Sequence, residues 1–260
     1  MAADRMYRYV GWVLAATVLF GSAGSLDAAD RPAPLEVDLQ LVVASDVSTS
    51  MDPEEKQLQL KGFVAAFRNP EVIRAVMRGQ RGRMAVTYIE WGGEGRQRVV
   101  VPWCLIDGPQ AAGAFADKLA ATYPGRLSFG TSMGDALVFS AGLFETSGFA
   151  SERRVIDISG DGKSNKGAPL DLARADVLKR GVTINGLPIV YTKRQLASVD
   201  VENFAADDLT SYFLTQVIGG PDAFVEPVWT PAMYPHAIRQ KLIREISGGR
   251  PGGTRFSELP

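Results

Sequence analysis

Five residues in three separate segments have the chemistry to hold a hard cation. Asp46-Val47-Ser48-Thr49-Ser50 sets one carboxylate and two hydroxyls along a single loop. Gly130-Thr131-Ser132-Met133-Gly134 adds hydroxyls where a helix is expected to open, and Ser159-Gly160-Asp161-Gly162 adds a second carboxylate. All are oxygen donors, the ligand type that Mg²⁺ takes in octahedral array while keeping water in the remaining places. Asp46, Ser48, Ser50, Thr131 and Asp161 are therefore the candidate ligands of Mg²⁺ or Mn²⁺. Asp157 is a competitor, but it falls inside the expected strand, whereas Asp161 falls in the loop beyond it. Taken singly, each residue has an ordinary explanation as a turn or cap: Asp46 or Ser50 for one helix, Thr131 for the next. The ordered set is what points to a metal.

These loops must be carried by regular elements. Val37 to Ala44 is an apolar run suited to a buried strand. Asp52-Pro53-Glu54-Glu55 is a helix start: a capping Asp, a Pro in the first turn, and acids that suit the positive helix end better than a catalytic pair. Asn69-Pro70 opens a second, short helix. Met84–Trp91 and Gln97–Leu105, joined by Gly92-Gly93-Glu94-Gly95, predict a hairpin. Helices are expected over 109–121, 133–144, 169–180 and 235–246, and strands over 154–159 and 182–190. Tyr212–Val217 and Ala223–Val228, around Gly219-Gly220-Pro221, suggest a second hairpin. Alternation of this kind gives an α/β fold: a Rossmann-like, doubly wound and mostly parallel sheet with an antiparallel edge hairpin. In such sheets ligands bind beyond the carboxyl ends of the strands, where the three loops would lie.

In order and placement, the five positions resemble the von Willebrand factor type A (VWA) domain and its metal-ion-dependent adhesion site. The family pattern is Asp-x-Ser-x-Ser, then a Thr in a Gly-Thr loop, then an Asp after the next strand. Asp46, Ser48 and Ser50 match the first part, Thr131 the second and Asp161 the third, and the resemblance runs over about residues 37–246. It implies that hydroxyls touch the metal, that aspartates often act through water, and that one coordination place is kept for a Glu or Asp of a partner protein. Within the family the chain looks like a bacterial secreted branch without an assigned activity, with 212–228 and the closing helix as features of that branch.

The remaining features set bounds. The 260 residues carry 46% apolar and 22% charged side chains and a net charge of −1, which fits one globular domain and argues against nucleic acid as a partner. Arg5 and Arg8 precede an apolar run from Val10 to Gly21, with small residues at Ser22, Ala23, Gly24 and again at Ala28 and Ala29. This reads as a signal peptide over 1–29, too short for an ordinary membrane span, with an uncleaved anchor as the alternative. A linker (30–36), a VWA-like domain (37–247) and a loose tail (248–260) follow, in a periplasmic or secreted protein. Cys104 is the single cysteine, so no internal disulfide forms, and its apolar stretch predicts a buried thiol. His236 is the single histidine and marks a helix start, which leaves no Ser-His-Asp triad and no ordinary zinc site. Gly162-Lys163-Ser164 lacks the upstream Gly of a phosphate loop, since Asp157 stands there. Trp91, Trp103 and Trp229 are expected in the core or at its rim. The function expected is metal-dependent protein binding. A metal-assisted hydrolase and a metal-free scaffold are the alternatives.

Overall fold

The computed structural model describes residues 33–125, 130–191 and 204–248. The expected signal segment, residues 30–32 of the linker, and the tail from 249 onward lie outside the described residues. In chain order the elements are β1 (Leu35–Glu36), β2 (Leu39–Asp46), α1 (Pro53–Phe67), α2 (Pro70–Met77), β3 (Met84–Trp91), β4 (Gln97–Ile106), α3 (Pro109–Ala120), α4 (Met133–Glu145), β5 (Phe149–Ala150), β6 (Arg154–Gly160), α5 (Leu170–Lys179), β7 (Val182–Pro188), α6 (Phe204–Tyr212) and α7 (Tyr234–Ser247).

The main sheet has the order β4-β3-β2-β6-β7, parallel throughout except for the antiparallel edge strand β4. Strand β2 lies at its centre and all eight of its residues are buried, which explains why it reads as a continuous apolar run and not as an alternating one. The two-residue period still sorts its side chains. Leu39, Leu41 and Val43 join the core formed with α1, α2, α3 and α7, while Val42 and Ala44 join the core formed with α4, α5 and α6. The expected linker residues Leu35–Glu36 form β1, which pairs in parallel with β5. Among the described residues no helix is long and apolar enough to cross a membrane.

Helix α1 starts as its sequence dictates. The Asp52 side chain accepts from the backbone N–H of Glu54 and Glu55, and the Glu55 carboxylate accepts from the Asp52 N–H, a reciprocal capping box. Two expectations need correction. Tyr212–Val217 is not a strand: α6 continues into a π-helical turn over Phe213–Val217, and Phe213 and Val217 bury themselves in the core. Only the later residues run along β7, through single bridges from Gly219, Val225 and Val228 to Ile184, Gly186 and Ile189. Cys104 is half-buried, since β4 is the sheet edge, and its Sγ lies 3.3 Å from Lys118 Nζ.

Helix α7 is fastened to the sheet by a buried charged cluster. Lys241 Nζ lies 2.7 Å from Asp157 Oδ1 on β6 and also donates to Glu245 Oε1, which accepts a further bond from Asn185 Nδ2 on β7. Asp157 thus serves the helix, not the candidate cation site. One ammonium faces two carboxylates in a dry site, and Glu245 Oε2 has no donor. Burial, and next the charge of Asp157, push the Glu245 carboxyl from its ordinary 4.5 up to about 7. A carboxyl whose pKa is raised by folding adds stability below its unfolded value and loses it as the pH climbs through the folded one. Glu245→Gln, which keeps the acceptor for Asn185, is therefore expected to gain on the parent between pH 4.5 and 7, by on the order of 3 kcal/mol. Urea melts of both proteins at three pH values across that window check this, and a constant gap between them would refute it.

Candidate functional site

Strand β2 ends at Asp46, where the chain turns back over the carboxyl edge of the sheet. Asp46 is fully buried, and its Oδ1 accepts from the Ser48 N–H at 2.7 Å, which fixes the loop that follows. Ser48 and Ser50 are turned toward each other, with Oγ to Oγ at 2.9 Å, and Ser50 Oγ donates to Asp161 Oδ1 at 2.6 Å. Four of the five expected residues thus form one connected cluster from the loops after β2 and β6. The donor set is two carboxylates and hydroxyls. Among the described residues no group of three or more His, Cys, Asp or Glu gathers in a metal-holding arrangement.

Gly160, the last residue of β6, shows how tightly this end of the sheet is packed. A Cβ there would lie 3.3 Å from Asp46 Oδ2, 3.2 Å from Met133 Cε and 3.4 Å from the Trp91 ring. Trp91 is wholly buried behind the loop and donates from Nε1 to the Ala44 carbonyl. From the other side, Gln59 of α1 donates to the Asp46 carbonyl at 3.4 Å.

Thr131, the fifth residue, is buried and held by the loop that contains Asp161. Its N–H donates to Asn165 Oδ1 at 2.9 Å, and its carbonyl accepts from the N–H of Asn165 and of Lys166. Among the described residues no hydrogen bond joins Thr131 to the other four. Its neighbour Ser132 caps α4, accepting from the Asp135 N–H. Asp135 is a clamp that sequence reasoning missed. Its carboxylate accepts from the N–H of Ala168 at 2.9 Å and of Gly95 at 3.1 Å, tying the start of α4 to two loops. Burial works against the ionised form, but these backbone bonds prevail and hold the carboxyl below its usual range. The signal was present as Ser132 followed three residues on by an acid, the pattern of a capping box.

The electrostatics of the cluster favour a cation. Burial first, and Asp161 second, raise the Asp46 carboxyl to about 7 against the lowering effect of its Ser48 bonds. Burial raises Asp161 as well. Asp46 Oδ2 is buried and lacks any donor. A buried carboxylate with an orphaned oxygen, a partly buried one and two adjoining hydroxyls fit a hard divalent ion, which would supply the missing positive charge and polarise whatever ligand it takes.

Placement of the Thr131 loop rests on one close approach. A Cβ on Gly134 would lie 2.1 Å from the Ala168 carbonyl oxygen. Gly134→Ala is expected to force α4 away from the 161–168 loop and to destabilise the fold by about 1–3 kcal/mol. Denaturant melts measure the loss. A variant as stable as the parent would show that the approach is not constrained.

No curated protein matches the chain in sequence. Solved structures match it in fold. Proximal thread matrix protein 1 from the mussel byssus, described with a zinc-occupied MIDAS motif, superposes with a TM-score of 0.56 at 15% identity over 82% of this chain and 49% of its own. The vWF domain of the type V pili tip protein Mfa5 from Porphyromonas gingivalis gives 0.54 at 12% identity over 84% and 98%. A von Willebrand factor type A protein from Catenulispora acidiphila gives 0.50 at 19% over 81% and 43%. The chain spans about half the length of the mussel chain. Its fold is that of the VWA domain. The model of the family described as "Protein of unknown function (DUF1194)" matches residues 36–250, and the chain belongs to that family.

Proposed function

We propose that the chain is an extracytoplasmic protein-binding domain that works through a divalent cation. Asp46, Ser48, Ser50, Thr131 and Asp161 hold Mg²⁺ or Mn²⁺, and the ion grips a Glu or Asp of a partner protein. The observation that carries this reading is the Ser48–Ser50–Asp161 run of hydrogen bonds beside a buried Asp46 with an orphaned Oδ2. Neutral hydroxyls leave such an ion electrophilic, so an incoming carboxylate gains a charge-assisted contact. The mussel protein's zinc-occupied MIDAS motif and the pilus protein's VWA domain support the same use of the fold. The basic and apolar N-terminus supports export, with the signal over 1–29 and the binding domain over 37–247.

Calorimetry with Mg²⁺ or Mn²⁺ should show one site, and Asp46→Ala should reduce its affinity at least about 100-fold. A pull-down from the native cell envelope should lose its protein partner on addition of EDTA. Undiminished metal binding by a folded Asp46→Ala variant would end the proposal.

A further inference from the structure

Between the end of β6 at Gly160 and the start of α5 at Leu170 the chain forms neither helix nor strand. The backbone N–H groups of this Asp161 loop therefore need partners from elsewhere. Those of Asn165 and Lys166 donate to the Thr131 carbonyl, and that of Ser164 donates to the Tyr212 hydroxyl at 3.1 Å. Ser164 also binds in the opposite direction. Its Oγ accepts from the Met133 N–H at 3.2 Å and lies 3.4 Å from the Thr131 carbonyl. One residue thus joins the Asp161 loop, the Thr131 loop and α6. Tyr212 is in turn set by the sheet. It is the last residue of α6, and the π-helical turn opens with Phe213. Phe213 is fully buried and fills the space above Gly186 of β7, where a Cβ would lie 2.5 Å from its Cδ1. With that neighbour wedged in place, Tyr212 is half-buried against the same core. Helix α6 also reaches the loop through Asp208, whose Oδ2 lies 2.7 Å from Lys163 Nζ. Both of those side chains are about half exposed, and such an ion pair contributes little.

We propose that Tyr212 is a positioning residue of the cation site: its hydroxyl fixes the Ser164 backbone, and through Ser164 it keeps the Asp161 and Thr131 loops in register for one ion. This rests on the proposed cation-binding role. No hydrogen bond joins Thr131 to the other four candidate ligands among the described residues, so their common placement depends on contacts of this kind behind the site. Groups that orient metal ligands from behind change metal affinity by about 10–100-fold when removed. The ring of Tyr212 packs against the core, and the hydroxyl serves the loop. Removing the hydroxyl alone therefore separates the two duties.

Tyr212→Phe, Ser164→Ala and Asp208→Asn test this in the full chain. Calorimetric titration with MgCl₂ is expected to give about tenfold weaker binding in Tyr212→Phe. Ser164→Ala keeps the N–H but loses the link to Met133 and Thr131, and is expected to weaken binding to a similar degree. Asp208→Asn breaks the exposed ion pair and is expected to stay within about twofold of the parent. Amide exchange in EDTA separates positioning from a general loss of stability. In Tyr212→Phe the Ser164 amide should exchange faster, while the amides of β6 and β7 keep their parent rates. Parent protein that binds no Mg²⁺ overturns the cation reading and this proposal together. Parent that binds, with Tyr212→Phe or Ser164→Ala binding as tightly, overturns the proposal alone. So does a Ser164 amide that keeps its parent rate in Tyr212→Phe. Faster exchange throughout β6 and β7 would make the hydroxyl a support of the whole fold and overturn it too. A loss in Asp208→Asn as large as in Tyr212→Phe would assign the tie to the ion pair, with the same result.

Discussion

A buried carboxylate set beside a partly buried one is the constraint around which this end of the molecule is organised. Asp46 is fully buried at the end of the central strand, and Asp161 approaches it from the loop after β6. Like charges in a low-dielectric setting repel strongly, and burial alone already disfavours each charged form. The surroundings offset this in several ways at once. Ser48 donates to Asp46, Ser50 donates to Asp161, and the Lys56 charge on α1 favours the ionised form of each. Asp46 Oδ2 remains without a donor.

Strand β6 separates two charged clusters that a linear reading runs together. Asp157 pairs in register with Val43 and Asn185 in the middle of the sheet, and it meets Lys241 of α7. Asp161, four residues on, has left the strand and faces the loop after β2. The first cluster anchors a helix and the second gathers oxygen donors. Their separation lets the same strand hold the closing helix without drawing on the candidate ligands.

The loops themselves are positioned less by their own sequence than by what they press against. The Thr131 loop is bound to the 164–166 segment through backbone bonds and Asn165, and Asp135 secures the start of α4. Gly134 permits an approach to the Ala168 carbonyl that any larger residue would obstruct, and Gly160 is closely packed. The site depends on close backbone packing around its polar side chains.

Periodicity and local chemistry were enough to read the elements. The continuous apolar run of β2, the capping box at Asp52 and Glu55, and the glycine turn between β3 and β4 depend on neighbours in the chain. The ordered Asp46, Ser48, Ser50, Thr131 and Asp161 positions were legible for the same reason, since each lies at the end of an element whose type is set locally. Residues 212–217 were misread because their apolar pattern fits a strand as well as a buried helical turn, and only the space against Gly186 decides for the turn. Cys104 reads as core from its neighbours, but edge placement of β4 opens it to the surface. Asp135 and Lys241 look like solvated charges in sequence. Their roles come from partners that are distant along the chain, Ala168 and Asp157, and such pairings exist only once the sheet has brought those segments together.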